Sequence, residues 1–401
     1  MKQIFFLQGC FLRLLIRDFI LYYSQKLKSK KEKTQMKKEN QLITELCKFL
    51  DPDKERIRKL LDETENYPVI LGQLLYNRMG GAAYYTLKEC RLLGAVPREF
   101  RNALKDSYNV GIEKASSFSV CLDQICEALH TADFDYALLK GAYLNSIYPE
   151  GLRTSNDIDI LIERKNLSSI CELLKRCGYT QGNIRNGEFV PASRTEIVSS
   201  MMNRGETVPF IKEVDLPKLR FCEIDLNFSM DYKPTQDSEI MTDFLTDSMC
   251  AGKPGMKILS KTDFLIHLCL HIYKEATVMA WVDMHRDMSL YKFCDIYVLL
   301  DKWLDENFAK NLIARIEKYE LQKECWYAFI YTRALFGIRN SCFDRIISGI
   351  EPQNTGCLRE VIDPGTNTIY EYRIPDEISL EDWFFTIDRK RYLHETSNEE
   401  A

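Results

Sequence analysis

None of the 14 cysteines stands in a C-x-x-C pair or in any other metal-ligand spacing. In a chain of 401 residues that argues against a structural zinc site and a disulfide framework, and for reduced thiols. Excess positive charge is lacking too: 54 Lys and Arg face 59 Asp and Glu, a net charge of −5. Without a global basic field, a long nucleic acid is not an expected partner, because such binding draws on several phosphate contacts. Arg13, Arg17 and Asp18 break the apolar and aromatic stretch 1–23. No run of ~20 apolar residues remains to span a bilayer, so stable membrane association is not expected. The same charges interrupt what would have to be the charge-free segment of a secretory signal. Leu7-Gln-Gly-Cys10 is similar to a lipoprotein cleavage site but has few apolar residues before it. The expected location is the cytoplasm. Residues 1–35 read as an N-terminal extension, with Met36 as an alternative start.

No internal repeat occurs, and the only biased tract is the lysine-rich segment near residues 26–38. From residue 36 to 130 apolar residues recur at helical spacing. Leu42, Ile43, Leu46, Phe49 and Leu50 form one stripe, and Ile57, Leu60 and Leu61 continue it after the Asp51-Pro52-Asp53 break. Helical stretches are expected over 68–93 and 97–130, interrupted near Gly80-Gly81 and Gly94–Pro97. The period then shortens. Asp135–Leu139 and Ile158–Ile162 read as strands, Gly141–Tyr148 as a short helix, and Asn166 as the cap of a helix closed at Gly178. Residues 180–208 carry little apolar pattern and read as an irregular excursion. Val208–Val214 and Leu219–Phe228 are expected to form a hairpin. Helices return from Lys261, including one with His267 and His271 at i and i+4. Leu268 stands where a metalloprotease helix carries glutamate, so this reads as a buried or site-facing pair, not a zinc motif. Helices continue to about Ile347. Three short terminal strands are expected at 359–362, 368–373 and 383–387. The expected domains are a helical 36–130, an α/β core 131–235, a helical 236–349 and a β-rich tail 350–401.

The chemistry concentrates where the period changes. Lys140-Gly141 forms a corner after an apolar run, and Asp157-Ile-Asp159 lies inside a second one. Alternation along a strand puts both acids on one face, roughly 6–7 Å apart, with Ile158, Ile160 and Ile162 on the other. Paired carboxylates on one face can hold divalent cations, which make phosphoryl and nucleotidyl transfer feasible. Glu223, Asp225 and Asn227 share the polar face of a later strand. Asp225 is the expected third acid, with Glu223 the second choice. A glycine corner opening a helix offers amide N–H groups to phosphate, and Lys140 or Arg153 can add charge.

Taken together, these residues resemble the nucleotidyltransferase superfamily typified by DNA polymerase beta. They are more closely similar to an uncharacterised bacterial nucleotidyltransferase family marked by Leu-Lys-Gly, Tyr-Pro, Arg and Asp-Ile-Asp. Here these are Leu139-Lys140-Gly141, Tyr148-Pro149, Arg153 and Asp157-Ile-Asp159. The likeness extends through Asp225, His271 and Asp295–Leu300, and covers roughly residues 40–300. It implies an α+β fold, with a small mixed β-sheet nucleotidyltransferase core flanked by N- and C-terminal helical bundles. It implies Asp157, Asp159 and Asp225 as catalytic and metal residues, with Mg²⁺ or Mn²⁺. Lys140, Gly141, Arg153, Ser155 and His271 would bind an NTP such as ATP, whose NMP passes to a hydroxyl of a small molecule, a protein or an RNA end. Three departures stand out: Ala142 after the corner glycine, Asn156 between Ser155 and Asp157, and Asn227 where the closer family tends to have histidine. The altered corner motivates the alternatives, a nucleotide-binding regulatory module with weak catalysis or a toxin–antitoxin component.

Overall fold

A computed structural model describes residues 30–203, 205–230 and 239–396. The stretch 1–23 and the Leu7–Cys10 run lie outside the described residues; of the extension 1–35 only backbone from Lys30 is described, as the start of helix α1. The fold is α+β, with a mixed sheet and helical regions on both sides of it in sequence. Packing divides the chain into two units, Asn109–Leu268 on one hand and residues up to Tyr108 with Cys269 onward on the other.

The second of these begins with α1 (Lys30–Cys47), α2 (Lys54–Asp62), α3 (Tyr67–Tyr76) and α4 (Gly80–Glu89). The Asp51–Asp53 break behaves as its residues require: the Asp53 carboxylate accepts from the Arg56 N–H at 2.9 Å and caps α2. The break expected at Gly80-Gly81 falls slightly earlier, at Asn77–Met79, and Gly80 opens α4. Helix α5 (Arg98–Leu129) leads into the unit Asn109–Leu268.

That unit is built on β1 (Tyr136–Leu138), α6 (Gly141–Ile147), β2 (Asp157–Ile162), α7 (Leu167–Arg176), β3 (Thr180–Arg185), β4 (Glu188–Pro191), α8 (Arg194–Asn203), β5 (Phe210–Leu216), β6 (Leu219–Asn227), α9 (Glu239–Thr246), β7 (Met249–Cys250) and β8 (Lys257–Ile258). Sheet order is β4-β3-β5-β6-β2-β1-β8-β7. Strand β2 is central, antiparallel to β1 and parallel to β6. Ile158, Ile160 and Ile162 join Ile224 and Leu226 in a core with Phe118 and Ile125 of α5 and Ile170 and Leu174 of α7. This packing fixes the register. A slip of one residue would expose the three isoleucines, at about 1.5–3 kcal/mol each, and bury the acids instead.

Two expectations for this unit need correction. Where residues 180–208 read as an irregular excursion, Thr180–Arg185 and Glu188–Pro191 form the β3–β4 hairpin and Arg194–Asn203 forms α8. The turn is Asn186-Gly187, both at positive φ, the backbone that a two-residue hairpin turn demands. Asn166 makes no side-chain cap; a 3₁₀ turn, Arg164–Asn166, runs directly into α7.

The other unit resumes within α10 (Lys261–Thr277) and continues through α11 (Met279–Asp283), α12 (Leu290–Trp303), α13 (Glu306–Lys318), α14 (Gln322–Phe336) and α15 (Ser341–Gly349). It ends in a three-stranded sheet of β9 (Glu360–Asp363), β10 (Thr368–Tyr372) and β11 (Leu393–Glu395), with α16 (Leu380–Phe384) between the last two strands. The strand expected at 383–387 does not form: Trp383 and Phe384 end α16, and residues 385–387 turn away from it. The start of α16 is set by Ser379, whose hydroxyl accepts from the Asp382 N–H at 3.2 Å. The 13 described cysteines are free thiols. Among the described residues no helix is long and apolar enough to cross a membrane.

Candidate active site

Parallel pairing of β2 with β6 places Asp157 opposite Glu223 and Asp159 opposite Asp225. Because side chains alternate, all four acids project from the sheet face opposite the isoleucine core. Asp159 is buried, and the Lys140 ammonium donates to its Oδ1 at 2.9 Å. The Ser155 hydroxyl donates to Asp157 Oδ1 at 2.9 Å. Asn227 Nδ2 donates to Asp159 Oδ1 and to the Asp225 carbonyl, each at 3.4 Å. Thus Lys140, Ser155, Asp157, Asp159 and Asp225 come together as the sequence suggests. Asn227, which looked like a departure, takes part as a hydrogen-bond donor.

The electrostatics separate the acids. Burial disfavours the Asp157 carboxylate, but Lys140, the Ser155 hydroxyl, its own backbone and Arg153 outweigh it and hold it below the usual range. Burial raises Asp159; Lys140 opposes the rise and Asp157 adds to it. Burial pushes Asp225 well above its ordinary value, reinforced by Asp159, Asp157 and Glu206. Burial also raises Glu223, with Asp157 adding and Lys114 opposing. Burial would lower Lys140, yet Asp159, Asp157 and Asp225 hold its proton, and its pKa is pushed up to about 12. Glu206 was not found by sequence reasoning. It bridges Asn227 in antiparallel fashion beside the end of β6, with the Thr207 N–H on the Leu226 carbonyl at 3.0 Å. No local pattern announces it, because only tertiary pairing brings it to β6.

The corner itself is close-packed. Lys140 has φ 42° and ψ −114°, a strained conformation for a residue with a side chain. Gly141 faces Ser155: a Cβ there would lie 2.5 Å from the serine Oγ and 2.6 Å from its Cβ. Ala142 is buried in the core, which explains why no hydroxyl stands at this place. The Ala142 and Tyr143 amides donate back to the Leu139 and Lys140 carbonyls at 3.2 Å, so the first turn of α6 closes on itself. The loop leading to Asp157 is held by a second tight approach. Gly151 sits at φ 78° with its carbonyl against Gly111 of α5, where a Cβ would come within 2.3 Å. Arg153 is buried and donates from Nη1 to the Thr154 carbonyl at 2.5 Å. His271 belongs to the other unit, where its Nε2 lies 3.2 Å from Glu275 Oε1, a carboxylate that also pairs with Lys292.

Gly141→Ala is expected to push Ser155 off Asp157 and to cost about 1–3 kcal/mol in urea unfolding, the usual range for overpacking. Adding Ser155→Gly should recover most of that loss, since it removes the atoms the new methyl meets. Equal stability of Gly141→Ala and wild type would refute the close approach.

Among the described residues, no group of three or more His, Cys, Asp or Glu side chains is placed to hold a metal ion. The acids instead share the Lys140 ammonium. A family model described as uncharacterised nucleotidyltransferase matches residues 66–337. No curated protein and no solved structure matches the chain.

Proposed function

The chain belongs to the uncharacterised nucleotidyltransferase family, and from that premise we propose that it transfers an NMP from an NTP to a hydroxyl acceptor with divalent cations. The observation that carries this reading is the pairing Asp159↔Asp225, which sets a third acid beside Asp157-x-Asp159 on one sheet face. Carboxylate oxygens are the donors that suit Mg²⁺ or Mn²⁺, and a bound cation would offset the burial that raises Asp159 and Asp225, in place of the Lys140 ammonium that now faces them. Asp157, Asp159 and Asp225 would hold it, as in the DNA polymerase beta-like superfamily. Bound there, it would neutralise charge on the phosphates and lower the pKa of the attacking hydroxyl.

The chain's own residues prepare the site. Ser155 orients Asp157, while Lys140 and Asn227 hold Asp159. Arg153 and Lys140 are the cations assigned to the NTP phosphates, with Gly141 giving close backbone approach. The acceptor class is a small-molecule, protein or RNA-end hydroxyl.

A second reading has one observation in its favour. The first turn of α6 bonds to its own corner carbonyls, which suits a module that binds nucleotide and turns it over slowly. Labelled NTPs with Mg²⁺ or Mn²⁺ distinguish the two. The enzyme releases pyrophosphate and moves label to an acceptor or to itself, and a chelator abolishes both. Nucleotide binding without release would favour the module. Neither binding nor release would overturn both readings.

A further inference from the structure

Lys140 does something that the phosphate role alone does not require. Its backbone occupies a strained positive-φ conformation, and its ammonium is turned onto Asp159 at 2.9 Å. The ammonium and carboxylate side chains are only 20% and 6% exposed, so water screens the pair weakly. Glycine would fit this backbone without strain, which singles out the lysine side chain as the reason for the residue. Asp159 Oδ1 accepts from Asn227 of β6 as well, so this one oxygen is engaged twice.

Resting on the nucleotidyltransferase reading, we propose that Lys140 is a tethered counter-ion. It neutralises Asp159 within the fold and must be displaced from that oxygen when a divalent cation engages it. Cation affinity at the acids is then set by competition with the protein's own ammonium. An ammonium and a carboxylate this close and this little exposed attract strongly enough for the competition to control binding. Lysine suits the task better than arginine would, as a compact charge with three rotatable donors on a flexible stem. Once displaced, the Lys140 ammonium stays at the corner and can pair with a phosphate. Cation and polyphosphate binding are thereby coupled with positive sign, and the coupling is reciprocal.

The test uses the full chain without nucleotide. Mn²⁺ binding is followed by loss of the free-ion electron paramagnetic resonance signal for wild type, Lys140→Met and Lys140→Arg. Lys140→Met is expected to bind Mn²⁺ at least about tenfold more tightly than wild type, and Lys140→Arg within about threefold of it, given the charge each keeps or loses. Equal or weaker binding by Lys140→Met overturns the proposal. Nuclear magnetic resonance of the wild-type lysine ammonium groups gives an independent answer should Lys140→Met fail to fold. The Lys140 signal, assigned by its loss in Lys140→Arg, should shift saturably with Mg²⁺, and an unmoved signal overturns the proposal too. The underlying reading fails separately. Tighter Mn²⁺ binding by Lys140→Met with no label transfer by wild type leaves the counter-ion role and removes the transferase. Label transfer with unchanged Mn²⁺ affinity does the reverse.

Discussion

Asp225→Asn should abolish nearly all turnover while making the fold more stable, and the opposite signs are the point of the experiment. The carboxylate at 225 is buried beside Asp159, Asp157 and Glu206, with Lys140 as the opposing charge. A raised carboxyl pKa in the fold means stability that is complete below the unfolded value and is lost as pH rises through the folded one. At neutral pH the folded protein therefore carries this penalty, and asparagine removes it. The gain should be about 1–2 kcal/mol, the range common for relieving an active-site conflict. At about 2–4 °C per kcal/mol for a domain of this size, scanning fluorimetry would register it. Turnover should fall at least about 1,000-fold, near 4 kcal/mol of barrier, with NTP affinity little changed. The double variant Asp157→Ala/Asp159→Ala should lose as much activity, and pyrophosphate release at the wild-type rate would end the enzyme proposal. Normal turnover by Asp225→Asn alone would move the third-acid role to Glu223, which lies opposite Asp157.

The acids were readable because a strand's period of two is visible in one line of sequence: Asp157-Ile-Asp159-Ile and Glu223-Ile-Asp225-Leu separate polar from apolar faces without any tertiary knowledge. Their partnership was not readable in the same sense, since it depends on β2 and β6 pairing in parallel with one register. Glu206 and Asn227 show the same limit, as their roles come from a bridge between segments. Other elements do carry local signals. Asn186-Gly187 is a strong hairpin turn, but the strands beside it, Thr180–Arg185 and Glu188–Pro191, are too polar to attract notice. Ser379-Leu-Glu-Asp382 is a helix start, and its hydroxyl bonds Asp382 through both backbone and carboxylate. The aromatic run after it, Trp383-Phe384-Phe385, favours strand on propensity, yet it closes the helix and turns, with all three side chains buried.

The terminal segment, functionally silent in sequence, has a strong physical role in its own unit. Arg389 is buried, and its Nε and Nη2 donate to Asp287 Oδ2 at 3.0 and 2.6 Å. Its Nη1 closes the end of α16 by donating to the Phe384 and Thr386 carbonyls at 2.8 and 2.9 Å. Trp383 packs edge-on against Tyr372 and Tyr392 around this centre. Arg389→Met would strand the Asp287 carboxylate and two carbonyls in a low-dielectric interior. Breaking one side of a buried pair in this way costs about 3–5 kcal/mol. Lysine should not rescue it, because a point charge cannot span the carboxylate and two carbonyls as the planar guanidinium does. Urea unfolding monitored by tryptophan fluorescence should therefore show Arg389→Met and Arg389→Lys both strongly destabilised. Adding Asp287→Leu to Arg389→Met removes the stranded charge and should restore most of the loss, since a buried pair replaced on both sides by apolar groups is often near neutral. A loss below about 1 kcal/mol in Arg389→Met would instead resemble an exposed ion pair and contradict the buried clamp.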